Sequence, residues 1–450
     1  MDNLSITTAF LNELIEGKEV KILREVFDEF NIVDLAEHVD CLNINDILFI
    51  FKVIRKDITG ELFSYLDSET QSKVIETFTS NEIRTVLDNM YTDDVVDVMD
   101  ELPANLVKKV LQAATPQQRD ELNTILSFKP GTAGYLMSTD FVELKETDTV
   151  GSAIRRIKRQ GKVAETISYC YIVSKRKLVG TISLRDILFE DEDEMIRNLM
   201  NKDVIYVKTD ADQEEVAYLA SKYDILVIPV VNDEDCLIGI ITVDDILDVI
   251  EEEVTEDIQK MAAIVPVEDS YLKTSVWDMA KSRLPWLCGL MITATLTGSI
   301  LSEFENALAV IPALSSFVPM IMGTAGNAGS QASIMVIRGI SVDGLTFKSI
   351  WGVLWKELRV GVLCGMILFA VVIARMMLLP PDVTLKIAAV IALSMTVALV
   401  VAKMVGGLLP LIAESLHQDP AAMAAPLITT IVDTLALLIY FALSVKILGI

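Results

Sequence analysis

Apolar residues follow two different rhythms along this chain. Up to about residue 130 they recur every three or four positions, as in Leu35, Val39, Leu42 and then Ile47, Ile50, Phe51, Ile54. That is the spacing of amphipathic helices. Breaks at Asn43–Asn45, Leu66–Ser68, Thr92–Asp94, Pro103 and Pro116 keep these helices short. Asp67 and Thr115 are N-cap candidates, Thr115 with Pro116 at the first helical position. Such a run fits a stacked helical repeat or an ordinary bundle.

Residues 136–250 contain an internal duplication. Leu136-Met137-Ser-Thr-Asp-Phe-Val-Glu-Leu parallels Leu199-Met200-Asn-Lys-Asp-Val-Ile-Tyr-Val, and Gly180-Thr-Ile-Ser-Leu-Arg-Asp-Ile-Leu188 parallels Gly239-Ile-Ile-Thr-Val-Asp-Asp-Ile-Leu247. Each copy reads strand, helix, strand, strand, helix. A continuous helix is predicted over 243–265, with Ile246, Ile250, Val254, Ile258, Met261 and Val265 as its apolar face. Its other faces carry eight acids, Asp244, Asp245, Asp248, Glu251, Glu252, Glu253, Glu256 and Asp257, against Lys260.

From Leu284 the pattern becomes nearly continuous. Leu284–Leu301 is uncharged for 18 residues and Ala307–Ile337 for 31. The second stretch is long enough for a span plus a broken piece. Val360–Ala374 is uncharged, Leu385–Ala413 is interrupted by Lys386 and Lys403, and Pro420–Val445 by Asp433. Five spans are expected. Lys281 and Arg283 precede the first, and Arg338, Lys348, Lys356 and Arg359 surround the second connection, which places the N-terminus inside and the C-terminus outside.

Charge sharpens this division. Residues 1–300 hold 56 acids and 30 bases, whereas 301–450 hold 8 of each. An acidic surface argues against nucleic acid as a partner and fits a cation, or a solvated acidic face. The five cysteines are scattered without metal-ligand or redox spacing, consistent with a reducing compartment. The N-terminal segment lacks the basic and apolar regions of a signal peptide, so the first 280 residues are expected in the cytoplasm.

Asp433 is the one acid deep in a predicted span, where a carboxylate costs about 2.5–3.5 kcal/mol on insertion scales. It calls for a wet cavity, an ion or a partner, and Lys403 is the candidate mate. Thr429 and Thr430 adjoin it, and Pro426 is expected to free a backbone carbonyl. The segment Gly323-Thr-Ala-Gly326-Asn327-Ala-Gly329-Ser330-Gln331-Ala-Ser333 reads as small-residue helix packing or as a polar pore wall. Carboxylate, hydroxyl and carbonyl oxygens suit Mg²⁺, which keeps much of its water shell. No soft-ligand cluster, His-Glu-x-x-His motif or P-loop is present.

The duplicated region resembles a tandem CBS pair, whose cleft commonly binds adenine nucleotides. That likeness rests on Ser183-Leu-Arg185-Asp186 and Thr242-Val-Asp-Asp245; a hydroxyl three residues before an acid is equally a helix cap. Along nearly its whole length the chain resembles MgtE-type magnesium channels. The carrying motifs are Gly326-Asn-Ala-Gly-Ser-Gln331, Asp419-Pro-Ala421 and Pro426-Leu-Ile-Thr-Thr-Ile-Val-Asp433.

The resemblance implies a multi-pass protein of the bacterial plasma membrane, a homodimer that imports Mg²⁺ and is closed by cytoplasmic Mg²⁺. The pore would be lined by the second and fifth spans, with Asp433, Asn327, Ser330 and Thr430 at the ion path. Some members carry a second Asn at the position of Ser330. Regulatory Mg²⁺ would meet Asp93, Asp97, Asp224, Asp245, Asp248, Glu253, Glu256, Asp257 and Asp419. ATP would meet Ser183, Arg185, Asp186, Thr242 and Asp245.

The expected fold is multidomain. An all-α superhelical N-domain covers 1–130, and an α/β tandem CBS pair covers 131–242, with copies at about 136–198 and 199–250. An acidic connecting helix follows at 243–270. A five-helix α transmembrane domain fills 271–450, with helices at about 284–304, 307–338, 350–379, 385–413 and 420–448. Alternatives are a cation-coupled exchanger for Mg²⁺, Co²⁺ or Mn²⁺, and a CBS-regulated intramembrane enzyme.

Overall fold

A computed structural model describes residues 7–267, 271–272, 274–304, 309–378, 384–421 and 425–449. It divides into two compact units, residues 1–251 and 252–450.

The first unit opens with ten helices of 8–10 residues, α1 (Thr8–Glu16) to α10 (Pro116–Ile125). Asn43, Asp67, Thr79 and Thr115 each accept a backbone N–H three residues on, which stops one helix and starts the next. Odd-numbered helices pack on the next odd-numbered one, and even on even. The result is two stacked rows, which decides for a repeat over a bundle. Leu11, Leu23, Leu35, Ile50, Leu62, Val74, Ile83 and Val96 are fully buried between the rows.

The duplication folds as two three-stranded sheets. β1 (Glu143–Lys145) runs parallel to β2 (Tyr169–Ser174), which is antiparallel to β3 (Lys177–Ser183); β4 (Val207–Lys208), β5 (Val227–Val231) and β6 (Leu237–Thr242) repeat the pattern. Helices α12 (Val150–Gln160) and α15 (Gln213–Tyr223) make the crossovers. The repeated motifs serve an exchange between the copies. Ser138 bridges Ile240 of the second copy, and Asn201 bridges Thr181 of the first. Met137 then lies over Gly239 and Met200 over Gly180, where a Cβ would stand 2.6 and 2.7 Å from the sulfurs. Only glycine leaves room for that methionine, so Met and Gly recur together.

Helix α13 (Leu184–Phe189) closes the first copy and α16 (Val243–Met261) the second. The α16 apolar face differs from expectation. Ile246 and Val249 are buried, but Ile250, Val254 and Ile258 are exposed. The side chains have the predicted spacing, but beyond Val249 no described element covers them.

The second unit holds five long helices among its described residues: α17 (Val276–Glu303), α18 (Val318–Asp343), α19 (Ile350–Leu378), α20 (Leu385–Ser415) and α21 (Ala425–Leu448). Four are long and apolar enough to cross a membrane, α18 being the exception. Its glycines, Asn327, Gln331 and serines dilute the apolar content. The uncharged stretch before it breaks into a 3₁₀ turn, Pro312–Phe317. Helices α18, α20 and α21 pack on one another, with α19 against α20 and α17 against α21. Pro426 falls in the first turn of α21, where no helical N–H is required. The carbonyl that the sequence expectation has it free belongs to residue 422, outside the described residues.

Candidate functional site

In the second unit, α18 and α21 approach through the glycine segment. A Cβ on Gly326 would stand 3.0 Å from Asp433 Oδ1 and 2.9 Å from Thr429 Cγ2. One turn on, Ser330 Oγ lies 3.2 Å from Thr429 Oγ1. Gly329 meets α20, where a Cβ on Gly406 would stand 2.1 Å from the Gly329 carbonyl oxygen. Small residues thus bring a carboxylate and two hydroxyls together inside an apolar bundle.

Asp433 Oδ1 is buried with no hydrogen-bond partner among the described residues. Such an atom in hydrocarbon calls for a cation or water. Lys403 is buried on α20, but no ion pair joins it to Asp433 among the described residues, so the paired-acid reading is not realised. The Thr430 hydroxyl donates to the Pro426 carbonyl at 2.9 Å. Asn327 is exposed on α18 beside Gly326.

The first unit contains a separate acidic site. Ligand oxygens of Asp93 on α8 (Thr92–Glu101), Glu165 between α12 and β2, and Asp245 on α16 lie within 4.8 Å of one another. The site is built where the N-terminal helices meet the first CBS copy. The Thr92 N–H and hydroxyl donate to Asp140 Oδ2 at 3.0 and 2.7 Å, capping α8 from the other domain. Thr242 donates to Asp245 Oδ2 at 3.0 Å.

Burial and mutual repulsion raise all three carboxyls. Asp93 is pushed up by burial, then by Glu165 and Asp245. Asp245 rises to about 8 by burial and the Glu165 charge. Glu165 rises by burial, against hydrogen bonds from Thr242 and Ser138. Neighbouring Asp94 reaches about 6, mainly through burial. Asp93 Oδ1 and Glu165 Oε2 are buried without hydrogen-bond partners among the described residues. Three converging acids with orphaned oxygens fit a hard divalent cation such as Mg²⁺.

The other predicted acids are distributed. Asp97, one turn beyond Asp93, is exposed and adds its charge to Asp245. Asp248 is exposed, and Asp224 is exposed at the left-handed C-cap of α15 with φ 53°. Neither belongs to the three-acid cluster. In the second unit, Lys260 pairs with Glu256 at 2.8 Å and Asp419 at 2.7 Å. Asp257 nearby is raised by burial and the Asp419 charge, and Glu253 is half-buried one turn before it.

The predicted nucleotide residues separate as well. Ser183, Arg185 and Asp186 line an open groove of about 870 Å³ with Tyr169, Asn201 and Leu226. Ser183 also caps α13, accepting the Asp186 N–H at 3.1 Å. Thr242 and Asp245 belong to the acidic site and are not among the residues lining this groove. Sequence reasoning missed Glu165, Asp140 and Asp94. Glu165 sits in a loop without periodicity, so only its neighbours in space identify it.

The chain matches three families: "MgtE: Divalent cation transporter" over 318–443, "MgtE intracellular N domain" over 30–131, and the CBS domain over 133–193 and 196–252. It is 33% identical to the magnesium transporter MgtE of Thermus thermophilus, covering 96% of this chain and 97% of that one. It is also 33% identical to the Bacillus subtilis magnesium transporter MgtE, over 96% and 95%. Its structure is similar to a crystal structure of the cytosolic domain of the Mg²⁺ channel MgtE in complex with ATP. The TM-score there is 0.51 at 34% identity, over 54% of this chain and 99% of that one.

Proposed function

Because this chain belongs to the MgtE family of Mg²⁺ transporters, a non-enzyme family, we propose that it is a Mg²⁺ import channel closed by cytoplasmic Mg²⁺. The chain is a membrane protein with apolar helices long enough to span. Helices α18 and α21 line the ion path, with α18 as the polar fifth span. The observation that carries this reading is the juxtaposition of Gly326, Ser330 and Thr429 with the orphaned oxygen of Asp433. Asp433 supplies the attraction. Ser330, Thr429, Thr430 and Asn327 offer oxygens to the water shell of the ion, which Mg²⁺ sheds reluctantly. A homodimer places two copies of this acid along one path.

Closure uses the acids outside the membrane. Asp93, Glu165 and Asp245, with Asp97 and Asp94 close by, repel one another when ionised and hold together when a divalent ion neutralises them. Glu253, Glu256, Asp257 and Asp419 form the corresponding acidic group in the second unit, and Asp224 and Asp248 add exposed charge. A ligand shifts such an equilibrium by its difference in affinity between the two states. The groove at Ser183, Arg185 and Asp186 takes an adenine nucleotide, as the ATP-bound relative suggests. The N-terminus is cytoplasmic and the C-terminus is on the opposite side.

The test is Mg²⁺ flux into liposomes holding the purified protein, in a bacterial plasma-membrane lipid mixture. Wild type should load Mg²⁺ down its gradient. Asp433→Ala should lose nearly all flux while still inserting, and Asp433→Asn separates charge from hydrogen bonding. Full flux through Asp433→Ala would remove the pore assignment.

A further inference from the structure

The last turn of α16 carries the one base of a helix with eight acids. Lys260 Nζ sits 2.8 Å from Glu256 Oε1, one turn back on the same helix, and 2.7 Å from Asp419 Oδ2 on the segment before α21. Its side chain is only 26% exposed. Asp419 is held from both sides, because its Oδ1 accepts the Ala421 N–H at 2.7 Å. Both oxygens of Asp419 are therefore engaged, and so is Oε1 of Glu256.

We propose that Lys260 is a tethered counter-ion that clamps Glu256 to Asp419 and competes with divalent cations for these acids. The proposal rests on the reading of Glu256, Asp257 and Asp419 as divalent-binding groups. The ammonium and a divalent ion cannot share Asp419 Oδ2, since two cations on one oxygen repel strongly in a half-buried setting. Burial alone would lower the Lys260 pKa; the bonds to Asp419 and Glu256 outweigh it and raise it.

The clamp also has a mechanical address. Asp419 lies 14 residues before Asp433, at the entry to α21. On the other side, Gln259 holds the Val267 backbone by two hydrogen bonds of 2.8 and 3.1 Å, and the Val265 N–H donates to the Ser282 carbonyl on α17 at 2.9 Å. The last turn of α16 is therefore bonded through Lys260 to the segment before α21, and through Gln259 to the loop whose Val265 is bonded to α17. At low Mg²⁺ the lysine keeps this junction assembled. As Mg²⁺ rises it must be displaced, which sets the concentration at which closure begins.

The experiment is limited proteolysis of the full-length protein in detergent, titrated with MgCl₂, on wild type, Lys260→Met and Lys260→Arg. Cleavage between residues 262 and 274 is the readout. Lys260→Met frees Glu256 and Asp419 for the ion, so its half-protecting Mg²⁺ concentration should fall about three- to tenfold, as for one half-buried ion pair. Without Mg²⁺ it should be cut faster than wild type. Lys260→Arg keeps the charge and should stay within about twofold of wild type. A lysine that only stabilises the fold gives the opposite sign, a higher midpoint in Lys260→Met. An unchanged or raised midpoint in that variant, with wild type protected normally, overturns the counter-ion role alone. A wild type that Mg²⁺ does not protect overturns the divalent reading of these acids, and the proposal with it.

Discussion

Alanine at Gly406 is a direct test of how the membrane helices are assembled. The new Cβ would stand 2.1 Å from the Gly329 carbonyl oxygen. Close C···O contacts between helices run about 3.3–3.6 Å, so α18 and α20 must separate by about an ångström. Neither helix can relieve this by rotating a side chain, because both contacting atoms belong to backbone or Cβ. Overpacking costs about 1–3 kcal/mol, and the better helix propensity of alanine returns up to about 1 kcal/mol. Gly326→Ala is milder. Its Cβ meets Asp433 Oδ1 at 3.0 Å and Thr429 Cγ2 at 2.9 Å, so shifts of a few tenths of an ångström suffice. Those shifts fall on the proposed ion path. Gly352→Ala is the control, since nothing lies within 4 Å of its Cβ. Thermal melting in detergent should show Gly406→Ala lowered by several degrees, with Gly326→Ala near wild type. Liposome flux should fall several-fold in Gly326→Ala and remain normal in Gly352→Ala. If Gly406→Ala melts and transports like Gly352→Ala, the helix packing deduced from the glycines is wrong.

The acidic site predicts an unusual pH response of the cytoplasmic region in EDTA. A carboxyl whose pKa is higher folded than unfolded stabilises the fold when protonated. Its contribution is complete below about pH 4 and is lost as pH rises through about 6 for Asp94 and about 8 for Asp245. Urea melts of residues 1–265 should therefore give stability falling from pH 5 to pH 8, with each unit of raised pKa worth about 1.4 kcal/mol. Saturating Mg²⁺, or Glu165→Gln with Asp245→Asn, should flatten that slope; a slope unchanged by both refutes the coupling. For the groove, ATP calorimetry on the same fragment should show binding that Arg185→Ala weakens about tenfold. Thr242→Ala should leave it within about twofold, because Thr242 is not among the groove residues. Equal losses in both variants would return Thr242 to the nucleotide site.

Legibility in the sequence tracked how local each feature is. Asp67 and Thr115 could be read as caps because a cap is decided within four residues. The CBS duplication was legible because each copy repeats its Met and its Gly, though not that Met137 pairs with Gly239 across the repeat. The glycine segment read as small-residue helix packing or a polar pore wall; the close approach is there, since Gly326 and Gly329 meet α21. Gly406 carried no such signal, since a glycine pair in an apolar helix is common. The acidic site was half legible. Asp93 and Asp245 came from the family resemblance. Glu165 stands in a loop whose position depends on three other elements, and Asp140 acts as a cap across 48 residues of chain. The carbonyl expected to be freed by Pro426 lies at residue 422, outside the described residues, so that expectation stands as made.

The acids outside the membrane fall into two physical kinds, and the difference bears on how a graded ion signal becomes a steep one. Among the described residues no ion pair is made to Asp93, Glu165 or Asp245, and two of their oxygens have no hydrogen-bond partner. At Glu256 and Asp419 a base is already seated. The first kind gains the full relief of repulsion when an ion binds. The second gains only the difference between the ion and the lysine. Affinity at the first site is therefore expected to be the higher, and it acts on the joint between the N-terminal helices and the CBS copies. On the reading proposed above, the second site would fill later and act through Asp419 on the segment before α21. Filling in that order would make the junction next to the membrane helices respond only after the cytoplasmic acids are neutralised. On that reading a cell would see little change at low Mg²⁺ and a sharp change once the lysine is displaced.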